Sequence, residues 1–493
     1  RRGAELAGAP AGVAAQVDLS LLFLERSVRL LAPGGVLAIL IPAKAIRSLY
    51  GSGARRLLLR EMELASIEDH ALDQRSIFRA DAFAAAVIGR KRKEVGIGEG
   101  ARSSLGAGET TLGCGNARPG GGDIVPGSAT ALPGCGNGHA APRATGPGPL
   151  VRVAMVRRGV EPLRFVLRQD DLPVIPGDAE APWLIAPPAA RAALRRMQAS
   201  GTALGLHPAG LRVRRGVVTG ANDVLIVPEA AFKLGNLAWI RAEGAFRARR
   251  DGRPAAAARY RALIEGDSLR PLVRGGGIQA WRYRTAGHIL WVHDDTTTEA
   301  TPPPPRTARY LARHAATLRA RSGWRPGLPD GALFRLSPAT LGHRVAWHDL
   351  AENLNAVALP ARVAGPTGRD VPIVPLNTVY FIPTATAEQA ELLAAYFNSL
   401  PVRTFARAIA ERAKDAHFRF LAWTIALIPL PAAWDQGPIA ARLLRISRAA
   451  HRRQGISGDD EADLNAAVAA AYGLDPDDMH ALLEFDRWLK GLR

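Results

Sequence analysis

Apolar residues recur at helical spacing over residues 18–31, DLSLLFLERSVRLL, with Leu21, Leu22, Leu24, Val28 and Leu31 on one stripe. Asp18 stands where an N-cap carboxylate accepts a free amide. Pro33-Gly34-Gly35 then stops the helix, and the unbroken apolar run Val36–Ile41 predicts a strand buried on both faces. A helix over residues 53–64, a short strand in ASIEDH and another in DAFAAAVIGRK follow. Helices alternating with buried strands predict α/β architecture. A strand buried on both faces belongs inside a parallel sheet, so the pattern places much of that sheet upstream of residue 1.

The character changes between residues 95 and 149, where glycine, proline and small residues replace aliphatic periodicity. Such a stretch buries too little surface to offset its ordering entropy, and reads as a flexible insertion. Residues 150–432 return to globular composition, with many short strands, glycine turns and a few helices. The last stretch, 433–493, is helical; Gly473 is placed to stop one helix, and Asp475, Asp477 and Asp478 supply acid to the start of the next. The expected organisation is therefore 1–94, 95–149, 150–432 and 433–493.

The charge adds a partner class. Against 45 acidic residues stand 64 basic ones, a net charge of +19. That excess favours a polyanion, because neutralised phosphates release condensed counterions. GC-rich codons alone would also raise arginine. The two cysteines are too few for a disulfide framework, which implies a reducing cytoplasm. Apolar runs such as VLAILIPA fall far short of the roughly 20 residues that span a bilayer, so no membrane partner is expected.

Three strings invite a chemical reading. GCGN occurs at 113–116 and 134–137 and suggests a cofactor-binding glycine loop, but no apolar strand precedes it and no helix follows. Cys114, Cys135 and His139 fall short of the four spaced ligands of a closed zinc site. TPPPPR at 301–306 lacks a flanking Asn and aromatic, which leaves a polyproline spacer. His343, His348 and Asp349 fit a strand end, with Val345 and Trp347 on one face.

Taken together, DLSLLFLERSVRLLAPGGVLAILIPAKAI, SIFRADAFAAAVIGRK, LRVRRGVVTGANDVLIV, LRPLVRGGGIQAW and AELLAAYFNSLPVRTFARAIAERAKDAHFRFLAWTIALIPLP occur in an order that resembles the TaqI-like adenine-N6 DNA methyltransferases of restriction-modification systems. The resemblance implies a partial class I methyltransferase (Rossmann-like) sheet over 1–94 and a mixed α/β target-recognition domain over 150–432, followed by a helical tail. It also implies methyl transfer from S-adenosylmethionine to adenine in double-stranded DNA.

The family's cofactor-binding glycine loop and its Asn-Pro-Pro-aromatic motif do not occur in this sequence, so no catalytic or cofactor-binding residue can be assigned, and the chain alone is predicted inactive. Ser20 stands where the family usually has Tyr or Phe. By the same resemblance Phe78 stacks on the extruded adenine, although a core phenylalanine fits the position equally well, and Lys44 approaches the site or a phosphate, although a solvated lysine is the favoured reading. DNA contacts are expected from Arg214, Arg215, Thr219 and Asn222, with Gly216 and Gly220 freeing the backbone. Further contacts are expected from Arg274, Gln279, Trp281 and Arg282, and from Arg412, Lys414, His417 and Arg419. The competing readings are a non-catalytic DNA-specificity protein working with a separate catalytic subunit, and an enzyme acting on RNA.

Overall fold

The computed structural model describes residues 18–72, 83–93, 148–233, 236–365, 367–413 and 417–491. Helix α1 (Leu19–Leu30) begins at Asp18, whose carboxylate accepts the Ser20 amide at 3.0 Å, and it buries Leu21, Leu24 and Val28. Gly34, at φ +80°, makes the turn that an L side chain would resist. Strand β1 (Val36–Pro42) follows, then a single helical turn Lys44–Arg47, helix α2 (Ser52–Glu61), β2 (Met62–Leu72) and β3 (Ala84–Lys91). Beyond residue 149 come β4 (Leu150–Arg157) and β5 (Val160–Arg168).

These strands form one five-stranded sheet in the order β1-β3-β2-β4-β5. β3 runs antiparallel between β1 and β2, β2 and β4 are parallel, and β5 is antiparallel to β4. The sheet is therefore mixed, and residues 150–168, which the sequence grouped with the recognition module, extend it. The strand expected to be buried on both faces is an edge strand among the described residues. Leu37 and Ile41 point into the core, whereas Val36 is 58% exposed and Leu40 37%. Ile88 on β3, which pairs with Ala38 between them, is also exposed, as are Leu19, Phe23 and Leu30 of α1. An apolar run specifies a strand but not what covers it.

Helix α3 (Pro188–Ser200) precedes a second layer. There β6 (Glu229–Lys233), β7 (Leu237–Arg241) and β8 (Arg261–Glu265) form a three-stranded antiparallel sheet, with α4 (Glu243–Arg250) between β7 and β8. The long hairpin β9 (Leu269–Gln279) and β10 (Arg282–Leu290) and helix α5 (Pro305–Ala312) come next. Strand β11 (Arg344–His348) then lies between β12 (Ala356–Leu359) and β13 (Val379–Pro383). Trp347 on β11 is wholly buried, packs on Tyr380 and Phe397, and donates its indole N–H to Phe420 O at 2.9 Å. His348 is half-buried beside Asp349, which fits the strand-end reading of that segment.

Helices α6 (Ala387–Asn398) and α7 (Leu400–Ile409) lead to the tail helices α8 (Gly437–Arg453), α9 (Gly458–Tyr472) and α10 (Pro476–Lys490). Gly473 ends α9 at φ +66° and acidic residues open α10, as the sequence predicted; Asp475 and Asp478 there form a capping box. The tail is not an appendage. A continuous core runs from Leu21 of α1 through Trp183 and Trp347 to Leu489 of α10. Trp488 donates to Glu161 O at 3.0 Å and Arg157 to Lys490 O at 2.9 Å, which ties α10 to the β4–β5 turn region. Inside that junction Arg407 Nη2 lies 2.5 Å from Asp486 Oδ1 without hydrogen-bond geometry, and both side chains are buried.

Removing one member of a buried pair leaves an uncompensated charge. Asp486→Ala should therefore cost about 3–5 kcal/mol in urea unfolding. The paired change Arg407→Met with Asp486→Leu should recover most of that loss. A single variant as stable as the parent would show that the pair holds nothing.

Candidate nucleic-acid interface

A cavity of about 680 Å³ opens at the carboxyl end of β1. Open α/β sheets place ligands at that end of their strands. Pro42, Ala43 and Lys44 form one side together with Arg47, Tyr50, Ala71 and Phe83. The other side comes from far along the chain: Glu411, Arg412, Ala413, Arg419 and Leu421. The wall thus joins the first sheet to the segment in which the sequence predicted DNA contacts.

Its electrostatics are specific. Lys44 is exposed and its ammonium lies 5.2 Å from the centre of the Tyr50 ring. Burial pushes the Tyr50 hydroxyl upward, aided by the carboxylates of Asp18 and Glu411. Burial also raises the Glu411 carboxyl, against the opposing pull of Arg419 and Lys44. Beneath the floor, Arg47 pairs with Asp69 in full burial, and Asp69 also accepts the Ala71 amide at 3.1 Å. The cavity offers two aromatic rings, two exposed cations and a carboxyl held toward its neutral form. That combination suits a planar base joined to phosphate.

Above it lies a basic rim. Arg215 stacks over Tyr380 at 5.6 Å and donates to Asn377 O at 2.5 Å. Arg335 and Arg419 also act on the Tyr380 hydroxyl, which burial raises. Arg335 holds a left-handed backbone at φ +59°, beside Phe334, which bridges to Val218. The sequence reading missed Arg335, Glu411 and Tyr50, which lie outside every string that carried the DNA reading or were not singled out within it.

The residues singled out from sequence fall into distinct groups. Lys44, Arg215 and Arg419 belong to the cavity and its rim, and Arg214 is exposed on the adjoining strand. Thr219 is buried and bonded to Asn222, whose side chain is exposed. Arg274 is held by Glu243 at 2.5 Å, and Gln279 accepts from Arg282 at 2.5 Å.

Arg412 is inside: it is 8% exposed, donates to Arg407 O and stacks on Phe418 at 4.5 Å. Burial, with Arg47 nearby, holds its guanidinium well below the usual range. Trp281 is also buried, at φ +68°, edge-on to His451 of α8 at 5.3 Å, so it docks the hairpin on the tail. His417 is half-buried beside the cavity strand. Phe78, Lys414 and the two GCGN strings lie outside the described residues.

The glycines expected to free the backbone for DNA serve packing. A Cβ on Gly216 would sit 2.3 Å from Leu376 O, and one on Gly220 would meet Arg321 at 3.0 Å. Arg321 in turn donates to Thr219 O, Ala332 O and Asp330 O at 2.6–2.8 Å and fixes the loop. Among the described residues no group of three His, Cys, Asp or Glu side chains is arranged to hold a metal, and no helix is long and apolar enough to cross a membrane.

No protein-family model matches the chain, and no curated protein does. Solved structures do. The type IIL restriction-modification enzyme MmeI, in complex with DNA, superposes with a TM-score of 0.51 at 10% identity, over 97% of this chain and 53% of that one. The type IIG restriction endonuclease BpuSI aligns over 96% of this chain and 49% of its own, at 12% identity and a TM-score of 0.36. The chain spans about half the length of these neighbours. The described residues form a mixed α/β fold of the kind seen in MmeI, with several sheets and a helical tail.

Because the Glu411 pKa is raised by folding, its ionisation weakens the fold as pH rises through the folded value. Glu411→Gln should therefore melt higher than the parent at neutral pH. The gain should vanish below the ordinary carboxylate range, where both states are protonated. Parallel melting curves of equal spacing at every pH would show that Glu411 does not titrate in this way.

Proposed function

We propose that this chain is the DNA-gripping, C-terminal portion of a restriction-modification enzyme that methylates adenine at N6. The observation that carries the reading is the cavity at the carboxyl end of β1, walled on its far side by a basic segment more than 300 residues away in sequence. The likeness in fold to MmeI, a restriction-modification enzyme in complex with DNA, supports it. So does the apolar face formed by Val36, Leu40 and Ile88, which suits the remainder of a catalytic domain.

An enzyme that modifies a base within duplex DNA must first extrude it. In this reading the adenine enters the cavity and stacks against the side that carries Tyr50 and Phe83. Lys44 and Arg419 neutralise the adjoining phosphates, and Arg214, Arg215 and Arg335 extend that contact along the duplex. S-adenosylmethionine would provide the methyl group. The cavity does not fit that cofactor: the exposed charges, Lys44 and Arg419, repel its sulfonium and ammonium groups, and the Asp18 carboxylate is committed to capping α1. No step is assigned to it on these residues.

A second reading, a non-catalytic specificity protein that partners a separate catalytic subunit, rests on the same apolar face. Co-expression with an upstream half-domain carrying the glycine loop and Asn-Pro-Pro-aromatic motif separates the two, according to whether that half is encoded in the same reading frame.

Affinity for duplex DNA should fall with salt at a log–log slope of about −0.9 per neutralised phosphate. Lys44→Glu with Arg419→Glu should make the slope shallower by about 2. A flat salt response of the parent in a fluorescence anisotropy titration, or RNA duplex bound as tightly as DNA, would overturn the DNA reading. Tritiated S-adenosylmethionine should leave no label in adenine when this chain is used alone.

A further inference from the structure

The sheet β6–β7–β8 buries one face and leaves the other open. Phe232, Ala238, Ile240, Ala262 and Ile264 turn into the core beneath it. On the opposite face Trp239 stands at the centre of the middle strand, with its side chain 53% exposed. Its register neighbours are Ala231 on β6 and Leu263 on β8, so the alanine side leaves the indole open. A tryptophan so placed exposes a flat apolar surface that folding has not used.

The charges around it are arranged with the same economy. Glu229 pairs with Arg241 at 2.5 Å, and Arg241 also lies 4.5 Å from the Phe246 ring. Glu265 accepts the Arg306 and Thr307 amides at 3.0 and 2.9 Å and the Thr307 hydroxyl at 2.8 Å, which holds its carboxylate low in spite of burial. Both acids of the face are therefore spent. Lys233 and Arg261 have no carboxylate of the described residues within ion-pair distance. They sit on the outer strands at opposite corners, in the rows paired with Leu237 and Arg241, two residues on either side of Trp239. Strand spacing and rise put them roughly 16 Å apart, with the indole midway.

We propose that this face binds a single nucleic-acid strand, with an unpaired base on Trp239 and flanking phosphates on Lys233 and Arg261. A diagonal of cation, aromatic ring and cation on an open sheet matches how sequence-tolerant platforms hold unpaired strands: bases stack, and the backbone is neutralised beside them. A paired duplex keeps its base faces covered, so the indole selects for the unpaired strand. The site is separate from the cavity at β1 and needs only that the chain binds DNA.

The test is fluorescence anisotropy of the full chain with three labelled oligonucleotides of one sequence: single strand, blunt duplex, and duplex with a single-stranded extension. Trp239→Ala should weaken the single strand and the extended duplex by about tenfold. It should leave the blunt duplex and the melting temperature unchanged. Trp239→Phe should retain most of the affinity, and Lys233→Glu with Arg261→Glu should make the single-strand salt slope shallower by about 2. Unchanged single-strand binding by Trp239→Ala, or an equal loss on the blunt duplex, overturns the proposal. A parent chain that binds none of the three sinks the DNA reading as well.

Discussion

The arrangement depends on guanidinium groups buried where the first sheet, the second layer and the helical tail converge. Arg47 answers Asp69 from the turn after β1, Arg407 answers Asp486 from α10, and Arg412 lies among them with its charge disfavoured by burial. Taking such groups out of water is expensive unless each has a partner in fixed geometry. The aspartates are supplied by segments more than 400 residues apart, one from β2 and one from the last helix. Registry between the ends of the chain is thereby linked to charge neutralisation in the middle.

That junction also builds the cavity. The turn Lys44–Arg47 abuts Glu411–Arg412, so the floor of buried charge pairs becomes a wall with exposed Lys44 and Arg419 above it. Arg55 steadies the same turn by donating to Ala45 O and Ser48 O at 2.8 and 2.7 Å, and burial lowers its guanidinium to about 9. Gly51 is required there, because a Cβ would meet Ala45 O at 1.9 Å. The cationic edge is thus carried on a backbone with little freedom.

Much of the local structure was legible. The α1 stripe, its Asp18 cap, the Pro-Gly-Gly stop, the Gly473 terminus and the acidic start of α10 all rest on contacts within a few residues. Short-range patterns report such contacts faithfully. The site was legible only in part. Arg215 and Arg419 were singled out by residue type and Lys44 by its place after β1; Lys44 and Arg419 line one cavity, and Arg215 and Arg419 both act on Tyr380. The same reasoning chose Arg412 and Trp281, which are interior, because side-chain chemistry alone does not distinguish a guanidinium facing solvent from one stacked on Phe418. Glu411 and Arg335 gave no signal, since their importance comes from the residues brought beside them.

By itself the sequence determined the alternation of helices and strands, their caps and stops, and a strongly cationic balance; each follows from periodicity, turn chemistry or charge. Only the tertiary structure decided that β1 lies at an edge, that 150–168 extend its sheet, that the tail closes on α3 and α7, and which arginines remain at the surface. Burial and charge pairing depend on contacts between residues hundreds of positions apart, and no local pattern records those.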